Sequence, residues 1–251
     1  MRLKRLLPLL GIAVAVAAWQ LAVAASPRTL VPTPWQTLRA IGELAEKGLL
    51  VRYVVASLFR VTWGYLAAVA VAVPAGVTLG LSRRGDSAVN PILQILRPIS
   101  PLAWIPIGIL WFGVGDAAAI FLIFLASVLP LTTATVEAVH NLEGVHLAAG
   151  RNFGLSHAEL VRSVVVPGIL PQLIVAMRIT LGIAWLVVVA AEMIAVNSGL
   201  GFLIVDARNA GNRYDLVVAG MVLIGLIGIG LDLLMRRLER LPSVRWGYAA
   251  E

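Results

Sequence analysis

Six stretches of roughly twenty mostly apolar residues decide what this chain can become, because about that many residues cross the hydrocarbon core of a bilayer as one helix. They run over 6–25, 53–81, 97–113, 116–138, 171–196 and 216–235. Hydrophobic residues make up 60% of the 251 and charged ones only 13%, against about 45–50% and ~25% in soluble domains. A chain this apolar has too little polar surface to clothe a water-facing globule. The sequence therefore predicts an all-α polytopic membrane protein, a single domain over 1–251 with about six transmembrane helices. With no cysteine, disulfide frameworks and thiolate metal sites are excluded.

The third stretch is interrupted by Pro98, Pro101 and Pro106. Such breaks are tolerated where neighbouring helices re-satisfy the freed backbone groups, so 97–113 is expected to start irregularly and to be buried in protein. The first stretch has two readings. Arg2, Lys4 and Arg5 ahead of an apolar run and AVAAS resemble a cleavable signal peptide, but the run is longer than the ~7–15 residues of such a core, which favours a span. Most of the basic residues, among them Arg2, Lys4, Arg5, Arg83, Arg84, Arg97, Arg236 and Arg237, gather at one side if both termini are cytoplasmic. The net charge of +7 is thus dispersed around membrane ends, and no nucleic-acid partner is expected.

Three stretches do not cross. Over about 33–48, Thr33 and Gln36 form a capping box with Pro34 at the first helical position. Trp35, Leu38, Ile41, Ala45 and Leu49 then make an apolar stripe against Arg39, Glu43, Glu46 and Lys47. This is an amphipathic helix on the outer interface or a connector packed on neighbouring helices. The segment 197–215 is too polar to cross and is punctuated by Gly199, Gly201 and Gly211. The segment of about 139–170 holds Glu143, Arg151, Glu159 and Arg162 with all three histidines, so it lies in water. A helix from Glu143 to Asn152 is expected to stop at a left-handed Gly154. Ser156 with Glu159 then caps a second helix that Pro167 ends. Two short helices meeting at a glycine make a stiff, exposed elbow that a soluble partner can grip.

Catalysis finds little support. The two lysines, Lys4 and Lys47, follow no glycine, so no phosphate-cradling G-x-x-x-x-G-K-[ST] loop is present. His140, His146 and His157 are spaced by six and eleven, which stacks no two of them on one helix face and predicts no metal site. Ionisable residues inside spans are costly and tend to pair. Arg60 and Glu192 sit at depths that differ by roughly 6 Å at 1.5 Å rise per residue, so they are expected to pair, as a structural lock or as a substrate contact. Asp232 with Arg236 reads as local i,i+4 support, and Arg178 as a side chain reaching for the interface. Gly64, Ala68, Ala72, Gly76 and Gly80 form a ribbon of small residues that lets another helix approach closely. Trp185, Asn197 and Ser198 are candidates for a pathway wall.

The elbow carries a resemblance. AAGRNFG (148–154), nine residues LSHAELVRS, then VVVP (164–167) is similar to the cytoplasmic pattern E-A-A-x-x-x-G, nine residues, I-x-L-P of ABC importer permeases. It departs at Ala148, at Gly150 and in its valines. LRPISPLAWIPIGILWFGVGD (96–116), SLFRVTWGY (57–65), LGIAWLVVVAAEMIAVNSGLGFLI (181–204) and VRWG (244–247) resemble permeases of the nitrate/sulfonate/taurine group, so the similarity covers nearly the whole chain. The resemblance implies a type I ABC importer permease in a bacterial cytoplasmic membrane, a non-catalytic subunit without a cofactor of its own. By that likeness it pairs with a second permease copy, two ATP-binding subunits that hold ATP and Mg, and a periplasmic or lipid-anchored substrate-binding protein. Arg151, Asn152, Phe153, Gly154, Leu155 and Ser156 would meet the ATPase, and the substrate would be a small anion, nitrate-like or a sulfonate such as taurine. Two rival readings remain. An ion-gradient-driven secondary transporter should show inverted repeats and intramembrane carboxylates at a binding site; a structural or assembly membrane protein would have no pathway at all.

Overall fold

The computed structural model describes residues 2–25, 30–142, 144–209 and 211–239; Glu143 and the VRWG segment lie outside them. The chain is helical throughout. Helix α1 (Arg2–Ala25) leads to α2 (Pro34–Glu46), α3 (Leu49–Leu81) and α4 (Arg83–Leu96), and after a 3₁₀ turn at Pro101–Trp104 come α5 (Ile105–Phe112) and α6 (Asp116–His140). Then follow α7 (Gly144–Asn152), α8 (His157–Leu160), a π turn (Val161–Val165), α9 (Val166–Ala195), α10 (Leu200–Asn209) and α11 (Tyr214–Glu239).

Four of these helices are long and apolar enough to cross a membrane: α3, α6, the continuous run His157–Ala195, and α11. The third expected span is not one helix. The segments on either side of 97–100 are bent by 84° relative to each other, and counted together they make a fifth crossing. Helix α4 went unforeseen because its sequence, RRGDSAVNPILQIL, is too polar to register as a span; Ser82 starts it by accepting a hydrogen bond from the Gly85 amide at 3.1 Å. The expectation that 97–113 is buried in protein also needs correction. Leu110 is 81% exposed in this chain, and Trp111 and Phe112 lie open beside it.

The ribbon of small residues on α3 has a defined partner. A Cβ on Gly64 would meet the Ile123 side chain at 2.7 Å, and one on Gly80 would meet Val139 at 2.7 Å. Gly76 faces Thr135 in the same way. Ala68 and Ala72 between them are fully buried. The pairings rise together in number, so α3 and α6 run parallel, and the chain must return between them. The broken helix makes that return. The start of α6 is pinned to the end of α9 by the Gly115 amide, which donates to the Ala195 carbonyl at 2.9 Å. Tyr53, Val61 and Tyr65 of α3 close the core with Leu181, Trp185 and Val188 of α9 and Leu200 and Leu203 of α10.

Helix α2 begins with the expected capping box: the Gln36 amide donates to Thr33 Oγ1 at 3.2 Å and the Thr33 amide to Gln36 Oε1 at 2.8 Å. The face it packs inward is Thr37, Ala40 and Leu44, whereas Trp35 and Leu38 of the expected stripe stay exposed. Small Ala40 lets this face come close to its neighbours; the indole would not. Arg213 donates to Glu43 Oε2 at 2.6 Å and also bonds Asp215 at the start of α11, which ties α2 to α11. The Arg213 guanidinium, with Lys47 second, holds the Glu43 carboxyl down to about 2.

Candidate functional site

Two sites stand at opposite ends of the bundle. Helices α6 and α9 are joined by the elbow at one end and meet through Gly115 and Ala195 at the other, so roughly the length of α6, about 36 Å at 1.5 Å per residue, separates them.

At the first end, α7 closes with a Schellman motif. The Leu155 amide donates to the Gly150 carbonyl at 3.2 Å and the Gly154 amide to the Arg151 carbonyl at 3.0 Å, with Gly154 at φ +76°. A left-handed residue there favours glycine. Ser156 then caps α8: its amide donates to Glu159 Oε2 at 2.8 Å, and its hydroxyl accepts from the Glu159 amide at 3.4 Å. The two arms cross at Gly150, where a Cβ would collide with the Leu160 side chain at 2.5 Å. An alanine there, as in the resembled pattern, would require the Leu160 tip to move aside. Phe153 stands 87% exposed at the tip. With Leu155 and Gly150 it edges a cleft of about 420 Å³. Arg151, Asn152, Gly154 and Ser156 are exposed around it, and Leu155 is half-buried.

One expectation about the elbow fails. Pro167 does not end its second helix. The backbone passes from α8 through the π turn into α9 without a break, and the Val166 amide donates to the Val161 carbonyl five residues back. A π turn locally abandons the i→i−4 ladder, so the amide that Pro167 lacks falls where the helix is already re-registering. The elbow is therefore continuous with the 39-residue run His157–Ala195.

At the other end the structure brings Arg60 and Glu192 together, both essentially without solvent exposure. Arg60 Nη1 donates to Glu192 Oε1 at 2.6 Å and to the Ser198 carbonyl at 2.8 Å, and Nη2 donates to Ser198 Oγ at 2.5 Å. Nε donates to Asp116 Oδ1 at 2.8 Å, and the same oxygen lies 2.7 Å from Nη2. Four donated hydrogen bonds and the Nη2–Asp116 ion pair thus surround the guanidinium. Glu192 Oε2 accepts from Ser57 Oγ at 2.9 Å and from the Gly201 amide at 3.0 Å. A carboxylate at the first turn of α10 is also favoured by the helix dipole. Neither Gly199 nor Gly201 has room for a Cβ: one on Gly199 would collide with the Glu192 carboxylate, and one on Gly201 with the Val189 carbonyl oxygen and then Glu192 Cβ.

Sequence reasoning missed Ser57 and Asp116 in this cluster, and assigned Ser198 to a pathway wall. The local sign was the glycine-rich wording GVGD and NSGLG, which lets backbone come close to a buried side chain. Trp185 is placed between helices instead of on an open wall: its indole N–H donates to the Ile224 carbonyl at 3.1 Å and its ring lies over Gly228. Arg178 does more than reach for an interface, since it donates to Asp232 at 2.6 Å and to Glu239 at 3.0 Å. Asp232 consequently serves α9 as well as Arg236. Among the described residues no group of three or more His, Cys, Asp or Glu is placed to hold a metal ion.

An apolar helical bundle with a polar elbow at one end and a buried Arg60–Glu192 pair at the other defines a multi-pass membrane protein. Residues 61–243 match the family model described as binding-protein-dependent transport system inner membrane component, and the chain belongs to that family. The taurine transport system permease protein TauC of Escherichia coli is 35% identical over 84% of this chain and 78% of its own length. The nitrate import permease protein NrtB of Synechococcus elongatus is 33% identical over 79% and 71%. The fold is similar to that of an inward-facing MetNI methionine ABC transporter chain, at a TM-score of 0.69 and 23% identity over 78% of this chain and 97% of that one. The protein is thus the non-catalytic, multi-pass inner-membrane permease of an ABC importer, which works with ATPase and binding-protein partners. That family membership removes the ion-gradient and assembly-protein readings.

Proposed function

We propose that two copies of this chain form the pathway of an importer for a small oxyanion, nitrate or a sulfonate such as taurine. Two ATP-binding subunits grip its elbows, and both termini face the cytoplasm. The observation that carries the coupling role is the elbow: an exposed ring at the fixed turn that closes α7, four residues ahead of a helix that runs unbroken into a span. An apolar ring held open to water on a rigid mount is what a partner's pocket selects for, and Arg151, Asn152, Gly154, Leu155 and Ser156 frame it. Support for the oxyanion comes from the names of the two relatives, one for taurine, which carries a sulfonate, and one for nitrate.

Phe153→Asp tests the grip. The ring is almost wholly exposed, so the change should cost folding little, within about 0.5 kcal/mol as for most surface positions. The variant is expected to insert and to purify as a folded permease, but to lose the co-purifying ATPase and all uptake. Retained assembly and transport would refute the role.

A further inference from the structure

The outer edge of Arg60 is occupied by an ill-fitting guest. Its Nε and Nη2 form a planar fork suited to two oxygens of one oxyanion, yet Asp116 offers the fork a single oxygen, Oδ1. Asp116 is 58% exposed, while the arginine it caps is 2% exposed. It follows Gly113-Val114-Gly115, whose glycines adopt φ +75° and +154°, and a Cβ added at either would meet nothing within 4 Å. Around this edge opens a cleft of about 480 Å³, lined by Arg52, Arg60, Asp116 and Ser198 on its polar side and by Val55 and Phe59 on its apolar side.

We propose that this cleft is an oxyanion site of the permease itself, in which a sulfonate or nitrate displaces Asp116 from the Arg60 fork. The proposal rests on the oxyanion reading above. Charge does not oppose the exchange: Glu192 pairs with Arg60 from within whichever anion occupies the fork. Swapping the carboxylate of Asp116 for the substrate's anion leaves the buried charge unchanged. The incoming group gains a second oxygen on the fork and contact with the Ser198 hydroxyl, which already lies on the Arg60 guanidinium. Arg52 supplies a second cation at the rim, and Val55 with Phe59 suits a short apolar tail. Asp116 is then a resident competitor that keeps the site shut to solvent anions until a concentrated substrate arrives.

The test uses the whole permease–ATPase complex in lipid nanodiscs, titrated with sodium ethanesulfonate and with sodium nitrate against sodium chloride at matched ionic strength. The midpoint of thermal denaturation is the readout. Asp116→Asn is expected to show saturable stabilisation by both oxyanions at a half-saturating concentration about tenfold below that of the unaltered complex, since a charged competitor for a charge-assisted contact is gone. Arg52→Gln in the same background should raise that concentration again, and Arg60→Lys, which lacks the fork, should abolish saturation. Half-saturation unchanged by Asp116→Asn, or the absence of any saturable effect, would overturn the site while leaving the permease's oxyanion transport intact. Should the unaltered complex with its binding protein carry a neutral solute, the oxyanion reading and this site would fall together.

Discussion

At the scale of single residues, the Glu192 carboxylate shows how a membrane span tolerates a charge. Its two oxygens accept three hydrogen bonds, from Arg60, Ser57 and Gly201, and no solvent reaches it. Breaking such a buried pair from one side costs about 3–5 kcal/mol because the surviving charge is stranded. Glu192→Ala should therefore lower the denaturation midpoint of the detergent-solubilised permease steeply. Glu192→Gln should lower it less, since its amide oxygen can still accept from Ser57 and Gly201 and Asp116 still answers Arg60. Equal damage from both variants would argue against a hydrogen-bonded lock. The pair itself was legible in the sequence, because an isolated cation and an isolated anion at similar depths in apolar runs have few other options. Its accomplices were not. Asp116 stands 56 residues from Arg60 and Ser198 stands 138 away, and nothing in their local sequence encodes that separation.

Among the helices, hydropathy exposed those that face lipid or core but was silent on those that do neither. α3, α6 and α11 lie where the apolar runs put them, and the capping boxes at Thr33 and Ser156 announced α2 and α8 because capping is decided within four residues. Helix α4 carries too many polar residues to be seen by apolar length. The π turn has no compositional signature, so Pro167 reads as a terminator until the register shift behind it is known. That turn carries a prediction of its own. Removing Ser163 should convert the π turn to ordinary α-helix and rotate the elbow by about 100° about the axis of α9, the angle of one residue at 3.6 per turn. The ATPase should still bind the intact tip through Phe153, with uptake lost although ATP hydrolysis persists. If uptake survived the deletion, the orientation of the elbow relative to α9 would be irrelevant to transport.

For the molecule as a whole, the parallel course of α3 and α6 sets the path of the chain. Two spans that run the same way demand a crossing between them, and the proline-broken segment supplies it despite its bend. With both termini proposed on the cytoplasmic side, which takes α1 with its apolar stretch Leu10–Ala25 as a sixth crossing, the Phe153 tip must face inward and Trp35 on α2 outward. The chain contains no cysteine, so single cysteines placed at these two exposed positions report without background. A membrane-impermeant maleimide applied to intact cells should label Trp35→Cys and spare Phe153→Cys, and inverted vesicles should reverse the pattern. Labelling of both from one side would dismantle the topology.

The uninterrupted run from His157 to Glu192, about 50 Å at 1.5 Å per residue, behaves as a crankshaft. A torque passed from the Phe153 turn, held by the Schellman motif and the Ser156 cap, into His157 travels along one helix to Glu192 and its bond to the guanidinium of Arg60, so motor stroke and anion release would be geared to each other by one rod.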